Sequence, residues 1–122
     1  MADPLTEKII GAAIEVHRHL GPGLLESIYE EALCVEFDLR GIRYARQAEV
    51  DVIYKGHVIK GQRLDLLVEN EVVVELKAVT RPNIDLITAQ VLSYLHAAKL
   101  KRGLLINFSV SRLVDGVKRI SA

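Results

Sequence analysis

The sequence predicts a mixed α/β (α+β) domain in which helices cover a sheet. Three observations lead there. Two amphipathic helical stretches, parted by Gly21-Pro22-Gly23, fill the first third of the chain; runs with strand-like alternation fill the middle; a third helical stretch is followed by a short, almost wholly apolar run. A helix with an apolar stripe and a sheet with an apolar face must bury those surfaces against each other, which gives a layered arrangement.

Asp3-Pro4 has the pattern of a helix N-cap with proline in the first turn. Leu5, Ile9, Ala12, Ala13, Val16 and Leu20 continue it as a helical stripe, which Gly21-Pro22-Gly23 ends. A second helix is expected from about Leu24 to Arg40, with Leu25, Ile28, Ala32, Val35 and Leu39 as its inner stripe and Gly41 just past its end. From Arg43 to Tyr54 the alternation of Val50, Val52 and Tyr54 predicts a strand, with a tight turn at Lys55-Gly56-His57 and a short strand at Val58-Ile59. Lys60-Gly61 punctuates the chain before a hairpin. The hairpin's even positions (Leu64, Leu66, Val68, Val72, Val74, Leu76, Ala78) form an apolar face, and Glu69-Asn70-Glu71 is its turn. A third helix is expected over about Ile84 to Lys101, with Ile84, Ile87, Val91, Leu95 and Ala98 on one side and Gly103 as its stop. Leu104 to Phe108 reads as a buried strand and Val114 to Ile120 as an edge strand.

With 122 residues and no linker-like segment, the chain reads as one domain, residues 1–122. Sixteen basic residues balance sixteen acidic ones, so any contact with nucleic acid must come from a local patch. The one cysteine, Cys34, excludes an intrachain disulfide and a cysteine zinc site, and suits a reducing cytoplasm. There is no signal-peptide pattern and no apolar run of transmembrane length, so no membrane role is expected. His17, His19, His57 and His96 make no zinc-binding pair and read as surface or hydrogen-bonded residues.

The chemistry concentrates in Arg63-Leu64-Asp65 and Glu75-Leu76-Lys77. A hairpin centred on Asn70 pairs Leu66 with Val74 and sets Asp65 opposite Glu75. Opposed strand residues have Cβ atoms roughly 4.5–5.5 Å apart, and like charges there repel. A divalent cation reverses the sign of that interaction, and Mg²⁺ is commonly held by one or two carboxylates with water and phosphate oxygens. Lys77 falls on the same face and could stabilise an oxyanion or help deprotonate a water. The same residues also suit a solvated hairpin face closed by an Asp65–Lys77 or Glu75–Lys77 ion pair. Glu26 and Tyr29 share one face of the second helix, and Gln90 and Tyr94 one face of the third. Glu26 could be a third carboxylate, or an acid stabilised by the helix dipole. Lys60, Arg63 and Arg81 flank the hairpin as candidate phosphate contacts.

Asp65 followed by Glu75-Leu76-Lys77 resembles the PD-(D/E)xK nuclease superfamily, and Gly23-x-x-Glu26-x-x-Tyr29 is similar to the signature of its GxxExxY group. Leu64 stands where the superfamily's name has proline. The resemblance implies a restriction-endonuclease-like core, a mixed sheet flanked by helices in α-β-β-β-α-β order with an extra N-terminal helix. It implies hydrolysis of nucleic acid, DNA first, with Mg²⁺ or Mn²⁺ held by Asp65, Glu75, the Leu76 carbonyl and Glu26. Lys77 would activate or position water, and Gln90, Tyr94, Tyr29 and Arg63 would touch substrate. The alternative is a non-catalytic binding or assembly module with this fold, able to form a homodimer through an edge strand.

Overall fold

The computed structural model describes residues 3–122. Helix α1 spans Pro4–Leu20, capped by Asp3, whose carboxylate accepts the Leu5 N–H at 3.1 Å. Most of its predicted stripe is buried: Ile9, Ala12, Ala13 and Val16 face the core and Leu5 packs against it, whereas Leu20 at the end of the helix is exposed. Gly21 follows at φ 69, a conformation that favours glycine.

Helix α2, Glu26–Arg40, turns a different face inward from the one expected. Tyr29, Leu33, Cys34 and Phe37 are buried, while Leu25, Ile28, Val35 and Leu39 are exposed. The helix carries two apolar stripes, and the one with the larger side chains won. Tyr29 and Phe37 remove more apolar area from water than Ile28 and Val35 would. Tyr29 stacks flat on Phe108, with ring centroids 4.4 Å apart.

Five strands follow in one sheet, in the spatial order β1 (Tyr44–Tyr54), β2 (His57–Val68), β3 (Val72–Lys77), β4 (Arg102–Asn107), β5 (Val117–Ser121). β3 and β4 run parallel, joined by helix α3 (Ile84–Ala98); the other neighbours are antiparallel. The expected short strand at Val58-Ile59 is part of one continuous β2, and Gly61, at φ 107, lies where the β1–β2 register shifts by a bulge. A short 3₁₀ turn, Leu113–Gly116, occupies the start of the expected edge strand. α1 and α2 pack on one face of the sheet against Leu66, Val68, Val72, Val74, Leu76, Leu104 and Ile106. α3 covers the other face, over Leu64, Val73, Leu105 and Ile120. The sheet is therefore mixed and flanked by helices, as expected, with both faces covered except along the outer part of β1 and β2.

Helix α3 ends at Ala98 with Lys99 in the left-handed conformation. Gly103, expected as the stop, instead lies inside β4 beneath the helix. A Cβ there would stand 2.6 Å from Val91 Cγ1, so the absence of a side chain sets how closely α3 approaches the sheet. Gly103→Ala should accordingly destabilise the fold by about 1–3 kcal/mol, read as a lower urea midpoint, whereas Gly11→Ala, with only the Arg40 side chain at 3.4 Å, should not destabilise it.

Candidate functional site

The β2–β3 ladder has the predicted register, Leu66 with Val74, Leu67 with Val73 and Val68 with Val72, and it stops there. Glu69 and Asn70, both at positive φ, form the turn. Asp65 is therefore not a ladder partner of Glu75. It sits at a fork where β2 leaves β3. On its other side the β1–β2 pairing skips it too: Arg46–Leu66 and Ala48–Leu64 flank the gap, and Gln47, opposite Asp65, has φ 50. The pleat is broken at this point. As a result Leu64 packs under α3 whereas Leu66, two residues on, packs under α1 and α2. Strict alternation through Leu64 does not hold.

The acids still meet, by another device. Asp65 Oδ2 accepts the Leu76 backbone N–H at 2.8 Å and so closes the fork with its side chain. Glu75 is buried, and its Oε1 has no hydrogen-bond partner. Burial pushes the Glu75 carboxyl up to about 8, and the neighbouring Asp65 charge and carboxyl push the same way; Lys77 opposes them. Neither acid is paired with an arginine among the described residues.

Glu26 opens α2, half-buried. Its carboxyl is held above the usual range by burial, then by the Asp65 charge, with Lys77 opposing. From α3, Tyr94 is buried beside the same acids; burial first, then Glu75 and Asp65, push its hydroxyl up to about 12, while a hydrogen bond from Gln90 works the other way. Gln90 is exposed. The structure thus gathers Glu26, Asp65, Glu75, Lys77, Gln90 and Tyr94 into one electrostatically linked group from α2, β2, β3 and α3. Among the described residues, however, no three His, Cys, Asp or Glu side chains form a ready cation cage. The Asp65–Glu75 pair is what is assembled.

Two expected substrate contacts need correction. Tyr29 is fully buried, its hydroxyl donating to the Gly21 carbonyl at 2.5 Å and accepting the Leu24 N–H at 3.1 Å. It staples the Gly21-Pro22-Gly23 turn that delivers Glu26. Tyr94 lies among the acids rather than at an exposed rim. Arg63 is exposed on β2, two residues from Asp65, and is registered opposite Glu49.

Asn107 was not anticipated. Its buried amide donates to the Val79 carbonyl at 2.8 Å and accepts the Val79 and Ser109 N–H groups at 3.3 and 3.1 Å. Together with the bond from Phe108 N–H to the Lys77 carbonyl at 2.9 Å, it fixes the chain leaving β3 just after Lys77. The available signal was a lone amide ending the apolar run Leu104-Leu105-Ile106. Elsewhere, a cleft of about 570 Å³ lined by Lys8, Arg40, Arg43 and Glu69 opens at the turn end of the β2–β3 hairpin, away from the acids. His17 is buried, and its Nε2–H donates to the Val110 carbonyl at 2.8 Å, a structural contact. Burial raises the Cys34 thiol to about 11, which leaves it unreactive at neutral pH. No helix among the described residues is long and apolar enough to cross a membrane.

A solved structure described as "Crystal structure of SSO0001" superposes with a TM-score of 0.51 at 18% identity, covering 95% of this chain and 76% of that one. The two chains share a fold, a mixed five-stranded sheet flanked by helices. A family model described as PD-(D/E)XK nuclease superfamily matches residues 3–120, and the chain belongs to that superfamily. No curated protein matches it.

The protonated Glu75 makes a stability prediction. Folding keeps a proton on this group that the unfolded chain gives up above its ordinary value of 4.5. Stability from this source is complete below about 4.5 and is lost as pH rises towards about 8. Metal-free wild type should lose stability relative to Glu75→Gln across that window in urea titrations; parallel curves would count against the assignment. Tyr29→Phe, which removes both bonds of the turn staple, should cost about 1–3 kcal/mol in the same assay.

Proposed function

We propose that this chain hydrolyses phosphodiester bonds of nucleic acid, with DNA as the first substrate to test and Mg²⁺ or Mn²⁺ as cofactor. One observation carries the reading: a buried carboxyl, Glu75, has an unpartnered oxygen and stands beside a second acid. An orphaned buried acceptor is costly in a metal-free protein and fits a cation. Superfamily membership supports the nuclease class.

In this reading Asp65 and Glu75 hold the ion. The Leu76 carbonyl offers a further oxygen, and Glu26 acts from α2 directly or through water. Two carboxylates with waters and substrate phosphate are a common Mg²⁺ environment, so a pair suffices. Bound there, the metal would polarise the phosphate and lower the pKa of a water. Lys77, two residues beyond Glu75 on β3, orients the attacking water and the phosphate. Tyr94 lines the acid centre from α3, and the exposed Gln90 and Arg63 would contact substrate. Gly23, Glu26 and Tyr29 support placement in the GxxExxY group, with the chain acting as a single domain in the cytoplasm.

The experiment is cleavage of single- and double-stranded DNA and RNA with Mn²⁺ or Mg²⁺, beside Mn²⁺ calorimetry. Asp65→Ala and Lys77→Ala should each lower cleavage by at least about 100-fold, with unchanged circular dichroism. Because Glu75 must lose its proton to accept a cation, Mn²⁺ affinity should climb with pH up to about 8. No cleavage of any polymer together with no metal binding would end this reading.

A further inference from the structure

Two consecutive residues of β1 reach the same carboxylate. Arg46 Nε and Nη2 donate to Glu30 Oε2 at 3.3 and 3.0 Å, and Gln47 Nε2 donates to Glu30 Oε1 at 3.0 Å. Neighbouring side chains of a regular strand point to opposite faces of the sheet, so one acid on one helix cannot hold both. Gln47 escapes that rule because its backbone is left-handed, at φ 50. A residue other than glycine stays in that conformation only where its surroundings impose it. The Glu30 side chain is only 12% exposed, and both of its oxygens are engaged in this contact. Arg46 also donates to Glu31 at 2.8 Å, a second tie between strand and helix.

Both ends of the contact lead to the acid centre. Gln47 stands opposite Asp65 in the gap of the β1–β2 pairing, and Asp65, left out of that pairing, turns its carboxylate to the Leu76 N–H at 2.8 Å. Glu30 lies one helical turn after Glu26 on the same side of α2. One carboxylate thus joins the helix that carries Glu26 to the kink that faces Asp65.

We propose that Glu30 is a positioning residue of the acid centre: by gripping Arg46 and Gln47 it holds the left-handed kink of β1 that keeps Asp65 free of the strand pairing, and it fixes α2, with Glu26, against that kink. The proposal deepens the nuclease reading, and its metal-binding readout rests on that reading; its backbone readout does not.

Amide hydrogen exchange of the metal-free protein, followed by NMR, tests it at Leu76. Glu30→Ala should speed exchange of the Leu76 N–H at least about tenfold relative to that of Val74, which lies in the intact β2–β3 ladder. Gln47→Val, which keeps Glu30 and Arg46 but disfavours positive φ, should do the same. Gln47→Gly gives up the Nε2 bond yet adopts the kink freely, so alone it should keep Leu76 protected, and combined with Glu30→Ala it should restore the protection that Glu30→Ala loses. In calorimetry, Mn²⁺ should bind Glu30→Ala and Gln47→Val at least about tenfold more weakly than wild type. Wild-type exchange at Leu76 in Glu30→Ala or Gln47→Val, a double variant no better protected than Glu30→Ala, or wild-type Mn²⁺ affinity in both single variants would each overturn the proposal. A wild type that neither binds Mn²⁺ nor cleaves any polymer ends the nuclease reading instead, and the exchange rates still decide whether Glu30 holds the kink.

Discussion

The site depends on how one carboxylate closes a gap between strands. β2 and β3 part at Asp65, and the hydrogen bond that a further ladder rung would have supplied to Leu76 comes instead from the Asp65 side chain. A backbone amide left unpaired at this depth would be costly. Asp65 thus has a structural task as well as a chemical one, and performing it brings its carboxyl against Glu75. The cost falls on Glu75, whose carboxyl is pushed up by burial and by Asp65 and whose Oε1 is left without a partner. That orphaned oxygen is what the proposed divalent ion would satisfy.

The surrounding elements hold this gap open in a defined shape. α3 is drawn close by Gly103 and places Tyr94 among the acids. Tyr29 anchors the turn that starts α2 and thereby sets the position of Glu26. Asn107 and Phe108 hold the end of β3 just after Lys77. Tyr29 and Asn107 are buried and polar at their tips, and both spend their hydrogen bonds on backbone near the site, as preorganised sites require.

Much of this was legible beforehand. The caps and periodicity of α1, the turn at Asn70 and the pairing of Leu66 with Val74 follow from local rules, because turn chemistry and alternation act over a few residues. The acids, Lys77, Gln90 and Tyr94 were all named from spacing and resemblance. What could not be read were choices made by tertiary packing. α2 has two stripes, and partners on other elements, Phe108 for Tyr29 and Tyr44 for Phe37, help to decide which one is buried. The break at Asp65 depends on Gln47, a residue of another strand. Asn107 reveals its role only when the loop after β3 folds back over it.

Beyond the fork, β1 and β2 continue as a two-stranded ribbon, while β2 itself runs unbroken from His57 to Val68. The outer ribbon and the acid centre thus share one strand, and β2 passes from its exposed end, through the bulge at Gly61 and the Gln62–Ser93 bond to α3, into the segment that carries Asp65.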